Sequence, residues 1–159
     1  MTSRQWRGGP ASSAGFQRHH LIPAALGQRR QFAALFDALA EYGLRLSRFA
    51  ENGLYLPADE RAASALGDAL HRGPHPAYTD VVAMRIEAIR ATTRISDQRA
   101  RWLGIARLHT LQSALRRALT DRHRSSLWLN RRDPMRIFAD RSYLDDAINA
   151  LLADPAASP

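Results

Sequence analysis

The stretch Phe16-Gln17-Arg18-His19-His20-Leu21-Ile22-Pro23 decides how this chain presents its most unusual side chains. The segment is short and of mixed polarity, and Pro23 closes it, which predicts a strand that leads into a turn. Neighbouring residues of an extended backbone point to opposite sides. The two adjacent histidines are therefore expected to face different surroundings and to have different roles.

A second strand is predicted downstream. Asn52-Gly53 is a short turn signal that favours positive φ angles, and the apolar run Leu54-Tyr55-Leu56 follows it, closed by Pro57. Between the two strands, Gln28 to Tyr42 is predicted as an amphipathic helix with Gly43 as its C-terminal stop. Its apolar face is Phe32, Leu35, Phe36 and Leu39. The strands are expected to form a small β-hairpin around this helical insertion.

Two further helices are predicted on either side of a second histidine pair. One runs from Asp59, a helix-capping residue, to about Leu70, until Gly73-Pro74 breaks it. The next runs from Pro76 to about Ala91. His71 and His75 are four residues apart, but the Gly-Pro break forbids one continuous helix between them. A turn must therefore bring the two imidazoles together.

The C-terminal half is predicted to be helical. Asp97 to Leu119 carries an apolar stripe, and a shorter helix is expected from Tyr143 to Leu152. The stripe of the longer helix is Leu108, Leu111, Leu115 and Leu119. Between these helices an arginine-rich stretch flanks Trp128, for which we favour a place in the core, with the arginines in solvent.

Composition limits the function classes. The 159 residues are 45% hydrophobic, enough for one compact core, and the formal net charge is +8, which favours a polyanionic partner such as nucleic acid. There is no Lys, so all 23 Lys or Arg residues are Arg, which codon bias explains better than selection for phosphate binding does. The absence of Cys excludes disulfides and thiolate metal sites. Without a signal peptide or a bilayer-length apolar run, the protein is expected to be soluble, with no membrane partner.

The histidines carry the chemical signal. Four of the six fall into two groups, His19-His20 and His71 with His75. Imidazole binds divalent transition metals, and with an unperturbed pKa of about 6.5 it also accepts a proton near neutral pH. A metal-assisted hydrolase needs both roles, because one imidazole holds the ion while an unligated one takes a proton from the attacking water.

Three motifs together resemble the AHH group of the HNH, or His-Me finger, nucleases, many of which are toxin tips of bacterial polymorphic toxin systems. They are His19-His20-Leu21-Ile22-Pro23, Asn52-Gly53-Leu54-Tyr55-Leu56-Pro57 and His71-Arg72-Gly73-Pro74-His75-Pro76-Ala77-Tyr78. They occur in order and with compatible spacing over roughly residues 16 to 92. Arg18 departs from the pattern, since the family name places Ala before the two histidines.

The resemblance implies a role for each motif residue. His19 looks like a metal ligand and His20 like the general base, while His71 and His75 look like further metal ligands. Asn52 looks like the residue that fixes the hairpin and so orients the base. The implied cofactor is one divalent metal ion, and Zn, Ni, Mn and Mg all remain open.

Two arginines next to these motifs are candidates for substrate binding. Arg18 precedes the histidine pair and Arg72 follows His71, so either side chain would add positive charge beside a phosphate. Both are predicted to bind nucleic acid.

The resemblance also implies an α+β, mostly helical fold. A small β-hairpin plus helix, the ββα-metal finger, forms the core, with additional amphipathic helices around it. We expect a linker or fusion junction at 1–15, the nuclease core at 16–95, a helical extension packed on it at 96–153 and a disordered tail at 154–159.

The function that follows from the resemblance is a metal-dependent endonuclease, a toxin effector domain that cleaves DNA with little sequence specificity. It implies delivery by a bacterial secretion system into the target-cell cytoplasm and an acidic immunity protein as a partner. An RNase of the same fold is one alternative. Another is a non-catalytic nucleic-acid-binding module with a structural metal site that uses all four coordination positions.

Overall fold

The structure is a computed structural model that describes residues 15–120 and 128–130. Its helices and strands follow in the order β1 (Phe16–His20), α1 (Arg30–Ala40), α2 (Phe49–Asn52), β2 (Gly53–Pro57), α3 (Glu60–Leu66), β3 (Leu70–Arg72), α4 (Pro76–Thr92), α5 (Gln98–Leu119) and β4 (Trp128–Asn130). A short 3₁₀ segment, Ala24–Gln28, precedes α1. The predicted α+β, mostly helical fold class is confirmed.

The predicted pairing of the first two strands is confirmed. β1 and β2 are antiparallel, with His19 opposite Leu54 and His20 opposite Gly53. The backbone N–H of Leu21 donates to the carbonyl of Asn52 at 2.9 Å, which extends the pairing beyond the strands. Because α1 and the loops around it separate the strands in sequence, this pair is a hairpin with a long helical insertion.

The interpretation of Asn52-Gly53 as a positive-φ turn is wrong. Asn52 is the last residue of α2, and Gly53 begins β2 with extended backbone at φ −119°. The glycine is required by crowding, because a Cβ atom at this position would collide with the ring and the carbonyl oxygen of Phe49.

The predicted helix from Asp59 to Leu70 is too long. Asp59 does cap α3, since its carboxylate accepts from the N–H of Ala62 at 2.8 Å. The helix ends at Gly67, which takes the left-handed conformation at φ 68°. His71 therefore lies in β3, which pairs in parallel with β4, and Leu70 and His71 are opposite Trp128 and Leu129.

The remaining helices form the core. The predicted apolar stripes of α1 and α5 are buried, and the apolar face of α4 belongs to the same cluster. Leu129 of β4 joins the same cluster. No helix among the described residues has the length and apolar character of a membrane span.

Several predictions fall outside the residues that the structure describes. These are the linker up to residue 14, the arginines of 122–127 and 131–132, the side chain of Trp128, the helix from Tyr143 to Leu152 and the tail at 154–159.

Candidate metal centre

Three histidines from three different elements converge beneath the hairpin. His19 comes from β1, His71 from β3, and His75 stands immediately before α4 as its N-cap. Their ring centroids are 4.9 to 5.1 Å apart. One ring nitrogen from each lies within 4.8 Å of the others. The three side chains are thus positioned to bind one metal ion, and the turn at Gly73-Pro74 brings His71 and His75 together as predicted.

The polar atoms of this cluster fit a cation. Among the described residues, both ring nitrogens of His19 and Nδ1 of His75 are buried without a hydrogen-bond partner. A buried polar atom without a partner costs free energy, so sets of such atoms are rare in folded proteins. Imidazole nitrogens are good ligands for divalent transition metals. The donor set that is present therefore matches the group that the sequence implied.

Gln17 orients one of these imidazoles. Nδ1 of His71 donates to Oε1 of Gln17 at 2.9 Å. This hydrogen bond places the imidazole proton on Nδ1 and leaves the lone pair of Nε2 free to bind a metal ion. Gln17 precedes His19 by two residues and so lies on the same face of β1. Gln17 was not among the site residues predicted from the sequence, although the strand alternation places it on the same face as His19.

Burial keeps the cluster uncharged. It lowers the pKa of His19 well below its usual value, with smaller contributions from the charges of His75, His71 and His20. Burial and then His75 lower the pKa of His71 to about 4, and burial lowers the pKa of His75. Neutral imidazoles at neutral pH are the form that binds a cation.

Tyr78 closes the cluster on the α4 side. It is a core residue, only 1% exposed, and its ring centroid lies 4.9 Å from that of His19 and 5.2 Å from that of His75. Its hydroxyl donates to the carbonyl oxygen of Leu21 at 2.6 Å. The side chain therefore ties α4 to the segment that follows the two adjacent histidines.

His20 lies apart from the three-histidine cluster. Strand alternation turns its ring to the other face of the hairpin, where it is half-buried and meets the ring of Phe49 at 5.7 Å between centroids. Burial and then the charge of Arg18 lower the pKa of His20. The guanidinium of the exposed Arg18 stands over the same Phe49 ring, 4.2 Å from its centroid. Phe49 was not among the site residues predicted from the sequence.

Asn52 is fully buried and joins the loops behind the site. Its Oδ1 accepts from the N–H of Ile22 at 2.9 Å and from Nε2 of Gln112 at 3.1 Å. Its Nδ2 donates to the carbonyls of Ile22 at 2.7 Å and of Leu46 at 2.8 Å. The amide thus fixes the segment that continues from β1. Gln112, on α5, was not anticipated.

Comparison with known families adds an independent finding. Residues 1–115 match the sequence model of AHH, a nuclease family of the HNH/ENDO VII superfamily with conserved AHH. The chain belongs to this nuclease family. No curated protein and no solved structure matches the chain.

The remaining candidate residues of this AHH nuclease are placed differently. Arg72 follows His71 in β3, but its side chain is exposed and directed away, donating to the carbonyl of Ala58 at 2.8 Å and to Glu60 at 3.1 Å. His109 is exposed on α5 and contacts Gln112, away from the three-histidine cluster. The structure brings together His19, His71 and His75, and separates Arg72 from them.

Proposed function

We propose that this protein is a metal-dependent endonuclease that hydrolyses phosphodiester bonds in DNA, with His20 as its general base. The observation that carries the proposal is the division of two adjacent histidines. His19 belongs to a buried cluster with two partners, whereas His20 lies outside it, half-buried on the other face of the strand. Metal-assisted hydrolysis requires this separation of ligand and base.

In this proposal His19, His71 and His75 hold the ion, and His71 binds through Nε2 because Gln17 occupies its Nδ1. A bound divalent ion would supply positive charge against the negative charge that develops on the phosphate oxygens. Three protein ligands leave room for substrate or water in a tetrahedral or larger shell. This favours catalysis over the structural-metal alternative, which needs a closed set of four.

His20 takes the proton in the chemical step. Its lowered pKa keeps the imidazole neutral at neutral pH, so that it can accept a proton from water. The water oxygen forms a bond to phosphorus while the bond from phosphorus to the leaving sugar oxygen breaks. The leaving oxygen then takes a proton from solvent. The buried Asn52 holds the segment after β1 and so supports the position of the base.

Arg18 is the first candidate for a phosphate contact. It is exposed, lies on the same face of β1 as His20, and its charge contributes to the lowered pKa of His20. Arginine binds phosphate with two parallel hydrogen bonds. Arg72 is proposed as a second contact that would exchange its exposed ion pair with Glu60 for the substrate.

The biological role that we propose is that of a toxin effector, delivered into the cytoplasm of a target cell and neutralised at home by an acidic immunity protein. The resemblance of the three motifs to toxin tips supports this role. The net charge of +8 supports an acidic partner as well as a nucleic acid substrate.

The test uses purified wild type, His20→Ala and, as a matched control, His109→Ala, because His109 is an exposed histidine on α5. Each is incubated with supercoiled plasmid and with RNA, with Zn, Ni, Mn or Mg and with chelator. Wild type and His109→Ala should nick the plasmid only when metal is present. His20→Ala should lose about a hundred-fold or more of the rate, the usual contribution of a general base.

Metal binding by the same variants, measured by calorimetry, separates base from ligand. His20→Ala should bind the ion nearly as well as wild type, whereas His19→Ala should not. Full cleavage by His20→Ala would refute the assignment of the base. Cleavage of RNA alone would make the protein an RNase, and tight metal binding without any cleavage would favour the nucleic-acid-binding module.

A further inference from the structure

Phe49 occupies an unusual position on the outer face of the hairpin. It is the first residue of α2, and its ring lies where a side chain at position 53 would otherwise stand. Gly53 is the strand partner of His20. The ring of Phe49 therefore fills the space that the glycine leaves opposite His20.

The same ring meets several groups on that face. His20 approaches it edge-on, with an interplanar angle of 86°, and Tyr55 packs against it with ring centroids 5.0 Å apart. The guanidinium of Arg18 stands over its face. Arg18, His20 and Tyr55 share this side of the hairpin because of strand alternation and register.

We infer that Phe49 is a positioning residue, which holds the His20 imidazole and the Arg18 guanidinium side by side so that one phosphodiester group meets both. The inference rests on the proposed function, since it assigns neither the base nor the metal site anew. It adds to the site a residue of α2, the short helix before β2, which lies outside the histidine motifs.

The physical basis is restriction of motion. An exposed arginine samples many rotamers, and a cation–π contact with Phe49 favours those that keep its charge near His20. Edge-to-face packing limits the rotation of the imidazole in the same way. Misplacing a reacting group by about 1 Å can cost about a hundred-fold in rate. Loss of the ring should therefore lower turnover rather than metal affinity.

The experiment compares Phe49→Ala, Phe49→Leu and Phe49→Tyr with wild type and His20→Ala. Thermal unfolding establishes the folded fraction, and calorimetry with the metal alone measures metal affinity. Cleavage of a short DNA duplex gives kcat and KM. Phe49→Ala should lose roughly ten-fold or more in kcat per folded molecule, with metal affinity within about two-fold of wild type. Phe49→Leu keeps an apolar side chain and the fold but lacks the flat ring, so it should show most of the same loss in kcat. Phe49→Tyr keeps the ring and should therefore have nearly the kcat of wild type.

Tyr42→Ala provides the matched control. The ring of Tyr42 also meets an aromatic and a guanidinium, Trp102 at 5.2 Å and Arg101 at 4.9 Å, on the side of the molecule where α1 ends and α5 begins. This variant should keep the kcat of the folded protein. An equal loss in Tyr42→Ala would show that general loosening lowers turnover, and would overturn the inference.

A double-mutant cycle with Arg18→Ala supplies a readout that a merely structural role would not move. If Phe49 acts through Arg18 and His20, the double variant should lose less kcat than the separate losses from Phe49→Ala and Arg18→Ala predict when they are combined. Unchanged kcat in both Phe49→Ala and Phe49→Leu, with His20→Ala inactive, would overturn the inference and leave the proposed function intact. A fully active His20→Ala would instead remove the proposed function itself.

Discussion

The side-chain amide of Asn52 binds both backbone polar groups of Ile22. Its Oδ1 accepts from the Ile22 N–H at 2.9 Å, and its Nδ2 donates to the Ile22 carbonyl at 2.7 Å. The Asn52 side chain thus forms the two backbone hydrogen bonds that a neighbouring strand would otherwise offer to Ile22. The segment that leaves β1 directly after the two histidines is thereby held in place without further regular pairing.

Replacing Asn52 should therefore be costly. Asn52→Ala leaves buried N–H and C=O groups without partners, each of which costs about 1–3 kcal/mol, and the free energy of unfolding should fall by about 3 kcal/mol or more. Gln112→Ala is the graded control, because it removes only one of the four hydrogen bonds to the amide. Urea unfolding of both variants measures the difference. Equal losses in the two variants would contradict the central role of Asn52.

Local patterns in the sequence were enough to predict the helices that carry apolar stripes. Phe32, Leu35, Phe36 and Leu39 recur at helical spacing, and all four are buried in α1. The separation of the two adjacent histidines was equally accessible, because alternation along β1 turns His19 and His20 to opposite faces whatever the tertiary structure. These features depend on neighbours in sequence.

The features that the sequence did not reveal depend on distant partners. His71 lies in a strand because β4, more than fifty residues later, pairs with it, while the local pattern favoured a helix. Position 53 requires a glycine because the ring of Phe49 fills the space of a side chain there. The local sequence Asn52-Gly53 had suggested a turn instead. Gln112 meets Asn52 across 60 residues, a contact that no local periodicity reports.

Gly53→Ala should destabilise the protein through this crowding. The added methyl would collide with the ring and the carbonyl oxygen of Phe49, and because a carbonyl oxygen belongs to the backbone, the collision has no cheap relief. We expect a loss of about 3 kcal/mol or more in the free energy of unfolding, at or above the usual cost of overpacking. In Gly27→Ala the methyl meets the flexible end of the Leu46 side chain and, at ordinary van der Waals distance, the ring of Phe36, so this control should lose less. Equal stability of the two variants would be inconsistent with the packing described.

The apo protein should lose stability as the pH falls from about 6.5 to about 4. The fold holds His71 neutral down to a pKa of about 4, whereas the unfolded chain binds the proton from about pH 6.5 downward. Because the unfolded state binds more protons in this window, the free energy of unfolding is highest above it. It decreases as the pH falls through the window, by about 3 kcal/mol for His71 alone. His19 and His75, whose pKa values burial also lowers, act in the same direction.

Urea unfolding in chelator, measured between pH 7.5 and pH 4, checks this dependence. His71→Gln should flatten the curve, because it removes one of the groups that titrate between the two states. Added metal should move the loss of stability to lower pH, since the ion binds the neutral imidazoles of the folded state. A curve for wild type that is flat across this range would contradict the burial of the cluster.

Gln17→Ala should weaken metal binding without removing a ligand. Oε1 of Gln17 accepts the Nδ1 proton of His71 at 2.9 Å and so keeps Nε2 available and aimed at its neighbours. Loss of such an outer partner typically costs about ten-fold to a hundred-fold in metal affinity. Calorimetric titration with Zn or Ni should therefore show unchanged stoichiometry and a Kd raised by at least about ten-fold. Gln31→Ala, an exposed glutamine on α1, should bind as tightly as wild type. If Gln17→Ala kept the wild-type Kd, the tautomer of His71 would not depend on this hydrogen bond, and its ligand atom would have to be assigned anew.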